Sequence, residues 1–177
     1  MLGFGNLVLV GGRGTLIDAF TNAIWYLGSE PSDRDRLAAQ PEMIPMAVEE
    51  FLRFFSPLAH IGRTAQTDVS IAGTVVDQGD LVSLGFSFAN RDPNAFEQSE
   101  SMVIDRKPNR HLAFGHGPHT CIGAHLARLE MRVVIEGLLL RAPDDVVESS
   151  PTLRILDLGF ASVPSGLESL RLTIPSG

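Results

Sequence analysis

The feature that most constrains this sequence is a glycine-rich bend that ends at its single cysteine and runs directly into a helix. Residues 114–123 read Phe-Gly-His-Gly-Pro-His-Thr-Cys-Ile-Gly, and Cys121 is the one cysteine among 177 residues. Glycines let a backbone approach a flat, bulky ligand where a Cβ would collide. Because the pattern predicts that Cys121 lies in the first turn of the helix, backbone N–H groups there favour a thiolate. The bend therefore predicts a metal site with a sulfur ligand, and the simpler alternative is a buried cysteine that only packs.

Two side chains of the bend suit a large organic ligand. Phe114 offers an aromatic face beside the cysteine, and His119 can donate a hydrogen bond to a ligand carboxylate. Neither residue type is specific alone, since a Gly-Pro pair is usually only a turn. The joint pattern is far more specific than its parts.

The composition is that of a globular chain and argues against nucleic-acid binding. The residues are 44% hydrophobic and 20% charged, and the formal net charge is -7. An acidic chain gains nothing from the field of a polyphosphate backbone. The longest clean apolar run near the N-terminus, residues 7–10, is far shorter than the ~20 residues of a membrane span. We therefore expect no membrane anchor and a cytoplasmic protein.

Hydrophobic periodicity predicts a mainly α chain with small antiparallel β-sheets, an α+β fold in one partial domain over residues 1–177. Helices are predicted over residues 15–27 (with 7–10 upstream and glycines weakening the middle), 32–39, 45–55 and 122–140. Ser32 and Asp35 resemble a capping box for the second helix. Short strands with tight turns are predicted between residues 69 and 84 and again after residue 153. Residues 89–114 are predicted to form a long ordered loop, which in a compact domain is usually functional.

The helix after the cysteine carries its own burial prediction. Its apolar residues at helical spacing are expected to face the core: Ile122, Leu126, Leu129, Val133 and Leu140. Its polar residues are expected to face solvent: His125, Arg128, Arg132 and Glu136.

The bend resembles the haem-loop signature of the cytochrome P450 family, Phe-Gly-x-Gly-x-His-x-Cys-x-Gly, at every fixed position. The resemblance implies that Cys121 is the proximal ligand of the iron of heme b, iron protoporphyrin IX. It also implies that His119 binds a haem propionate and that Phe114 lies near the porphyrin. Gly115 and Gly123 belong to the same cofactor-binding set, and backbone N–H groups after the cysteine hydrogen-bond its sulfur.

Two upstream positions match further motifs of this family. Glu50 and Arg53 resemble its Glu-x-x-Arg pair, which implies a structural network with a downstream arginine, and Arg91 is the candidate. From the residues alone the pair is an exposed i, i+3 ion pair worth about 0.2–0.5 kcal/mol. Arg63 falls where the family places a propionate-binding arginine, and it is otherwise a solvated strand residue.

The glycine-broken first helix resembles the family's long helix over the distal face of the haem. Gly11 and Gly12 would open space for the ligand, and Thr15 would assist proton delivery as the catalytic residue. The acid that usually precedes this threonine is replaced by Gly14. Substrate-lining residues are expected before Thr15, around residues 58–61 and near residues 160–163.

The resemblance covers the C-terminal portion of the cytochrome P450 fold. It implies a haem-thiolate monooxygenase that inserts one oxygen atom from O2 into a small hydrophobic substrate. Electrons would come from a ferredoxin-type donor docked near Arg128 and Arg132, and the family's N-terminal half is a further expected partner. Two alternatives stay open: a truncated, non-catalytic haem-binding remnant, and a peroxide-driven oxygenase.

Overall fold

One long helix, α1 (Leu2–Ser29), opens the chain and continues without a break through Gly11, Gly12 and Gly14. The computed structural model describes residues 2–142, 146–147, 151–157 and 162–173. In the C-terminal half of α1, Ala23 and Leu27 are almost completely buried. Burial of that face offsets the helix propensity lost at the glycines, about 1 kcal/mol each.

Two further helices follow. α2 (Pro31–Ala39) begins at a proline, and its N-cap Glu30 makes no side-chain cap bond. The predicted capping box of Ser32 and Asp35 is therefore wrong, because the fixed φ of Pro31 suits the first helical position and places Ser32 inside the helix. α3 (Ile44–Phe55) lies where the periodicity predicts it and ends at Ser56, which adopts a left-handed φ of 43°.

Two small antiparallel sheets come next; three of their four strands lie in the region predicted to form sheet, and the strand at residues 60–64 lies before it. β1 (His60–Thr64) pairs with β4 (Leu81–Gly85), and β2 (Val69–Ile71) pairs with β3 (Thr74–Val76). A single-turn helix, α4 (Phe86–Ala89), then leads into a long loop. Residues 90–116, all of them described, contain neither helix nor strand, which confirms the predicted loop.

The C-terminal part consists of one helix and a set of short strands. After a 3-10 turn at Gly117–His119, these elements are α5 (Ala124–Arg141), β5 (Val146–Val147), β6 (Thr152–Asp157), β7 (Ser162–Ser169) and β8 (Leu172–Thr173). β6 pairs antiparallel with β7, and β5 pairs antiparallel with β8. Residues 160 and 161 of the expected substrate-lining segment lie outside the described residues.

The core lies between α1, α3 and α5, and α2 and the long loop close it. Its deeply buried large apolar side chains include Leu27, Leu37, Ile44, Phe51, Ile104, Met131 and Ile135. The helix-rich architecture with small antiparallel sheets confirms the predicted fold class. Among the described helices, none combines the length and hydropathy that a membrane crossing requires.

The face of α5 that meets this core is the opposite of the predicted one. Ala124, Met131 and Ile135 are buried. The residues predicted to be buried are exposed: Ile122 by 87%, Leu126 by 56%, Leu129 by 57%, Val133 by 58% and Leu140 by 81%. At about 100° per residue the two sets lie on opposite sides of the helix. Because α5 is apolar on both sides, periodicity alone could not indicate which side packs on α1 and α3.

Candidate functional site around the cysteine bend

The segment from Phe114 to Cys121 closes into a bend held by its own backbone. The N–H of Cys121 donates to the carbonyl of Phe114, with nitrogen and oxygen 2.9 Å apart. Gly115 and Gly117 have φ of 69° and 73°, in the left-handed region that glycine adopts without strain. The Cys121 thiol is free and exposed. The alternative of a buried, merely packing cysteine is therefore wrong for this chain.

Cys121 precedes the helix instead of lying in its first turn. α5 begins at Ala124 with Gly123 as its N-cap, so one residue, Ile122, separates Cys121 from that N-cap position. The Cys121 carbonyl accepts the N–H of Ala124 at 3.3 Å. A Cβ placed on Gly123 would lie 3.8 Å from the Cys121 sulfur, which is ordinary van der Waals contact. The prediction that Cys121 lies in the first helical turn is therefore wrong, because Ile122 and Gly123 lie between Cys121 and the first residue of α5.

A cavity of about 320 Å³ beside the bend brings Arg63, His119 and Gly115 together. Its apolar wall includes Leu84 and Leu112. Arg63 is exposed, and its Nη1 donates at 2.9 Å to the carbonyl of its neighbour Gly62, which leaves further guanidinium N–H groups for a ligand. An apolar wall with a cation and an imidazole fits a flat apolar molecule that carries carboxylates, as haem does.

Glu50 and Arg53, both on α3, form a completely buried ion pair. Both side chains are 0% exposed, and the Arg53 Nε lies 2.8 Å from the Glu50 Oε2. Arg53 also donates to the carbonyls of Asn90, Ser99 and Ser101, each at 2.8 Å. The interpretation of an exposed surface pair is therefore wrong. A buried charge pair persists only when its remaining donors and acceptors are satisfied, and here the long loop satisfies them.

The third member of this network is Arg106, and the candidate Arg91 is wrong. Arg106 Nε lies 3.0 Å from Glu50 Oε2, and its side chain is 8% exposed. Arg91 instead pairs with Glu100 at 2.7 Å and places its guanidinium carbon 4.1 Å from the centroid of the Phe54 ring. Sequence reasoning missed Arg106 because it follows a stretch of loop without periodicity.

Asn90 connects the long loop to both α3 and the bend. Its side chain is 0% exposed. Its Nδ2 donates to the Ser56 hydroxyl at 2.9 Å, and its Oδ1 accepts the N–H of Leu112 at 2.6 Å. The amide of Asn90 thus anchors the backbone that leads into Phe114.

Glu49 makes a second cluster, separate from that of its neighbour Glu50. Its carboxylate accepts two hydrogen bonds from Arg128 on α5, at 2.6 and 2.9 Å, and lies 3.0 Å from Nε2 of His111. Burial raises the pKa of Glu49, but hydrogen bonds from His111 and Arg128 outweigh it and lower that pKa to about 2. Arg128 is thus bound to α3, not directed freely into solvent, which corrects its predicted place on the polar face. Arg132 and Glu136 pair with each other on the exposed side, as predicted.

Thr15, Gly11 and Gly12 lie together on α1. The Thr15 hydroxyl donates to the carbonyl of Gly11, with the two oxygens 2.9 Å apart. Gly11 and Gly12 are exposed, and a Cβ placed on either would meet no heavy atom within 4 Å among the residues the structure describes. Packing within the described chain therefore does not require these glycines. The side chains of residues 6–9, on the preceding turns, are outside the described set.

The described chain is rich in helix and presents the exposed Cys121 thiol on a glycine bend, beside a cavity that contains Arg63. It also holds the buried Glu50–Arg53 ion pair. The sequence profile of the family described as Cytochrome P450 matches residues 28–164. The chain therefore belongs to the cytochrome P450 family. Membership of this family implies haem as the cofactor.

Curated relatives extend well beyond the matched region. The polyketide biosynthesis cytochrome P450 PksS of Bacillus subtilis is 40% identical over 146 residues, which are 82% of this chain and 36% of that protein. The β-dihydromenaquinone-9 ω-hydroxylase of Mycobacterium bovis is 38% identical over 149 residues, 84% of this chain and 30% of that protein. The chain thus spans about a third of the length of the curated relatives that it matches.

A solved structure shows the same arrangement. CYP109E1 from Bacillus megaterium, in complex with corticosterone, superposes with a TM-score of 0.88 at 35% identity, over 97% of this chain and 46% of that one. The likeness confirms that the described helices and sheets form part of the cytochrome P450 fold.

Proposed function

We propose that this chain is the haem-binding part of a haem-thiolate monooxygenase, which inserts one oxygen atom from O2 into a small hydrophobic substrate. The observation that carries the proposal is the exposed Cys121 thiol, held in a glycine bend next to the cavity that contains Arg63 and His119. When bound, heme b supplies the iron centre at which O2 is activated and one of its atoms is transferred.

Several residues in and beside the bend have a defined role in this proposal. The sulfur of Cys121 would ligate the haem iron, and the N–H of Cys121 donates to the Phe114 carbonyl, which holds the residue in place. Arg63 and His119 would hold the carboxylates of the cofactor through charge-assisted hydrogen bonds. Gly115 and Gly123 would let the backbone approach the cofactor closely, because a glycine has no Cβ that could collide with it.

On α1, Thr15 is proposed to move protons. Its hydroxyl now donates to the Gly11 carbonyl, so it must rotate away from that carbonyl to serve a ligand above Gly11 and Gly12. The carboxylate that usually precedes such a threonine is replaced by Gly14. We expect Gly14→Asp to raise the fraction of consumed electrons that appears in product, whereas the isosteric Gly14→Asn leaves it unchanged. An equal yield of peroxide from both variants and the unmodified chain would contradict the relay.

The electron donor is proposed to be a ferredoxin-type protein. Charge supports docking near α5 less strongly than the sequence alone suggests. Arg128 pairs with Glu49 and Arg132 pairs with Glu136, so neither positive charge is fully available to a partner. Arg132 is the cation better exposed for such an encounter, at 54% of its side chain. Reversal of its charge with Arg132→Glu is expected to slow electron transfer most at low salt, and a rate without salt dependence would contradict docking at this position.

A further proposed partner is a polypeptide equivalent to the rest of the cytochrome P450 fold. The relatives are about three times as long as their matched region, and the outer side of α5 carries several exposed apolar side chains. Exposed apolar patches on monomers mark interaction surfaces. We propose that helices of the relatives' remaining length cover this side.

A non-catalytic haem-binding remnant is the second candidate, and the glycine at position 14, where an acid usually precedes the threonine, favours it. The two candidates differ in turnover. An active monooxygenase consumes O2 faster when an apolar substrate is added to the haem-loaded chain, a ferredoxin system and a reductant. A remnant binds haem without this stimulation, and a peroxide-driven oxygenase forms product only when hydrogen peroxide replaces the reductant.

The substrate class rests on the relatives. Solved structures of similar proteins contain corticosterone, testosterone or an acyl carrier protein bearing hexadec-9Z-enoic acid. These names support a hydrophobic substrate for this chain without selecting one. A cytoplasmic location is proposed because the ligating thiol must stay reduced and the relatives are bacterial.

A further inference from the structure

Glu49 joins three separate segments of the chain at one carboxylate. It lies on α3, while Arg128 lies on α5 and His111 lies in the loop just before the cysteine bend. The Oε1 of Glu49 accepts from Arg128 Nε at 2.6 Å, and Oε2 accepts from Arg128 Nη2 at 2.9 Å. The same Oε2 lies 3.0 Å from Nε2 of His111, whose side chain is 3% exposed. One side chain therefore fixes the distance between two helices and a loop.

Both partners of Glu49 contact the Phe114 ring. The guanidinium carbon of Arg128 lies 4.6 Å from the ring centroid, well within cation–π range. The His111 ring centroid is 6.0 Å from the same point. The His111 Nδ1 accepts the N–H of Ala113 at 3.2 Å, which assigns a ring proton to Nε2, the nitrogen that faces Glu49. The side chain of Phe114 is thus held from two sides by groups that Glu49 orients.

Phe114 in turn holds Cys121, because its carbonyl accepts the Cys121 N–H at 2.9 Å. A short path of contacts therefore leads from Glu49, through Arg128 and His111, to Phe114 and then to the cysteine. Neither Glu49 nor His111 belongs to the haem-loop signature or to the Glu-x-x-Arg pair. Their place in this path follows from the folded contacts alone.

We propose that Glu49 is a positioning residue for Cys121: it fixes Arg128 and His111 around the Phe114 ring and so maintains the backbone bend that carries the sulfur. The inference rests on the proposed function only in taking Cys121 as the haem ligand, since the bend is a property of the polypeptide itself. A carboxylate suits this task, because a bidentate bond with arginine is both stronger and more directional than a neutral hydrogen bond. The pKa of Glu49, lowered to about 2 by its bonds to His111 and Arg128, keeps that carboxylate ionised in mildly acidic solution as well as at neutral pH.

The test compares Glu49→Gln with Glu136→Gln in the intact chain without added haem. Glu136 is a matched control, because it accepts from Arg132 at 2.6 Å but does so on the exposed side of α5. Backbone hydrogen exchange is measured residue by residue. We expect Glu49→Gln to speed exchange of the Cys121 N–H by about tenfold or more, since hydrogen bonds to charged groups contribute roughly 1.5–3 kcal/mol. Exchange within α3 is expected to accelerate by a smaller factor than exchange at Cys121. Glu136→Gln is expected to leave all amides at their unmodified rates.

Two results would overturn the proposal. An unchanged rate at Cys121 means that the path from Glu49 does not hold the bend, and an equal acceleration at Cys121 and throughout α3 means a general loss of stability. Arg128→Lys supplies a milder second variant, because it keeps the charge but loses the planar fork. It is expected to accelerate the same amides by a smaller factor, and no acceleration there contradicts the path.

A spectroscopic readout connects the bend to the cofactor. In haem-loaded chain, Glu49→Gln is expected to broaden or shift the absorption bands that report the sulfur ligand, and Glu136→Gln is expected to leave them unchanged. Identical bands in Glu49→Gln and the unmodified chain would contradict a positioning role. A chain that takes up no haem would refute the proposed function, yet the exchange experiment would still decide the role of Glu49.

Discussion

Arg106 donates from Nε to both carboxylate oxygens of Glu50, at 3.1 and 3.0 Å, across 56 residues of sequence. Glu50 also accepts the N–H of Val103 at 2.8 Å and the Asn109 Nδ2 at 3.0 Å. One buried carboxylate therefore organises a loop that has no helix or strand to order it. The loop leads directly into the cysteine bend, so the order of the bend depends on this carboxylate.

Glu50→Gln is expected to destabilise the chain strongly. The substitution leaves Arg53 and Arg106 with too little negative charge at 0% and 8% exposure, and breaking a buried ion pair typically costs about 3–5 kcal/mol. Urea unfolding measures the effect. The exposed control Glu136→Gln is expected to change the free energy of unfolding by less than about 0.5 kcal/mol. Equal stability of the two variants would contradict a structural role for Glu50.

Acid is expected to remove the contribution of Glu49 to stability. Its pKa is about 2 in the folded chain, below its ordinary value of 4.5. A carboxyl whose pKa is depressed by folding stabilises the fold fully above its unfolded pKa, and that contribution is lost as the pH falls through the folded pKa. The difference in unfolding free energy between the unmodified chain and Glu49→Gln should therefore shrink from about pH 5 towards pH 2. A difference that stays constant over this window would show that the Glu49 charge does not couple to folding.

Periodicity predicted most of the elements, and it failed where a choice depended on distant contacts. α3 and the β2–β3 hairpin follow from local spacing and turn residues, whereas β1 was not predicted. The orientation of α5 does not, because the helix has two apolar sides and only packing on α1 and α3 selects one of them.

The site residues divide in the same way. Cys121, His119 and Arg63 were candidates because each belongs to a local motif. Glu49, His111 and Arg106 were not, because their partners are remote: Arg128 is 79 residues from Glu49, and His111 is 62 residues from it. Adjacent glutamates on one helix look alike in sequence, and only the fold separates a fully buried Glu50 from the partly exposed Glu49.

The outer side of α5 is expected to govern how the isolated chain associates. Leu126, Leu129 and Val133 are each more than half exposed, so replacing all three with serine should cost little stability and reduce self-association. Light scattering and size-exclusion chromatography measure this effect. Met131→Ser, at 1% exposure on the inner side, is the contrasting variant and should unfold the chain.

The same triple serine variant tests the proposed partner surface. A polypeptide made from the remaining length of a relative such as PksS should bind the unmodified chain and fail to bind the variant. Equal binding by both chains would place the contact elsewhere.

The central claim is that the sulfur of Cys121 ligates haem iron, and the absorption spectrum of the reduced carbon monoxide complex tests it most directly. The unmodified chain, titrated with haem, is predicted to give the long-wavelength band that a thiolate ligand produces. Cys121→His should retain haem with the shorter-wavelength band of an imidazole ligand, and Cys121→Ala should lose the thiolate band. A spectrum of Cys121→Ala that is identical to that of the unmodified chain would contradict the claim.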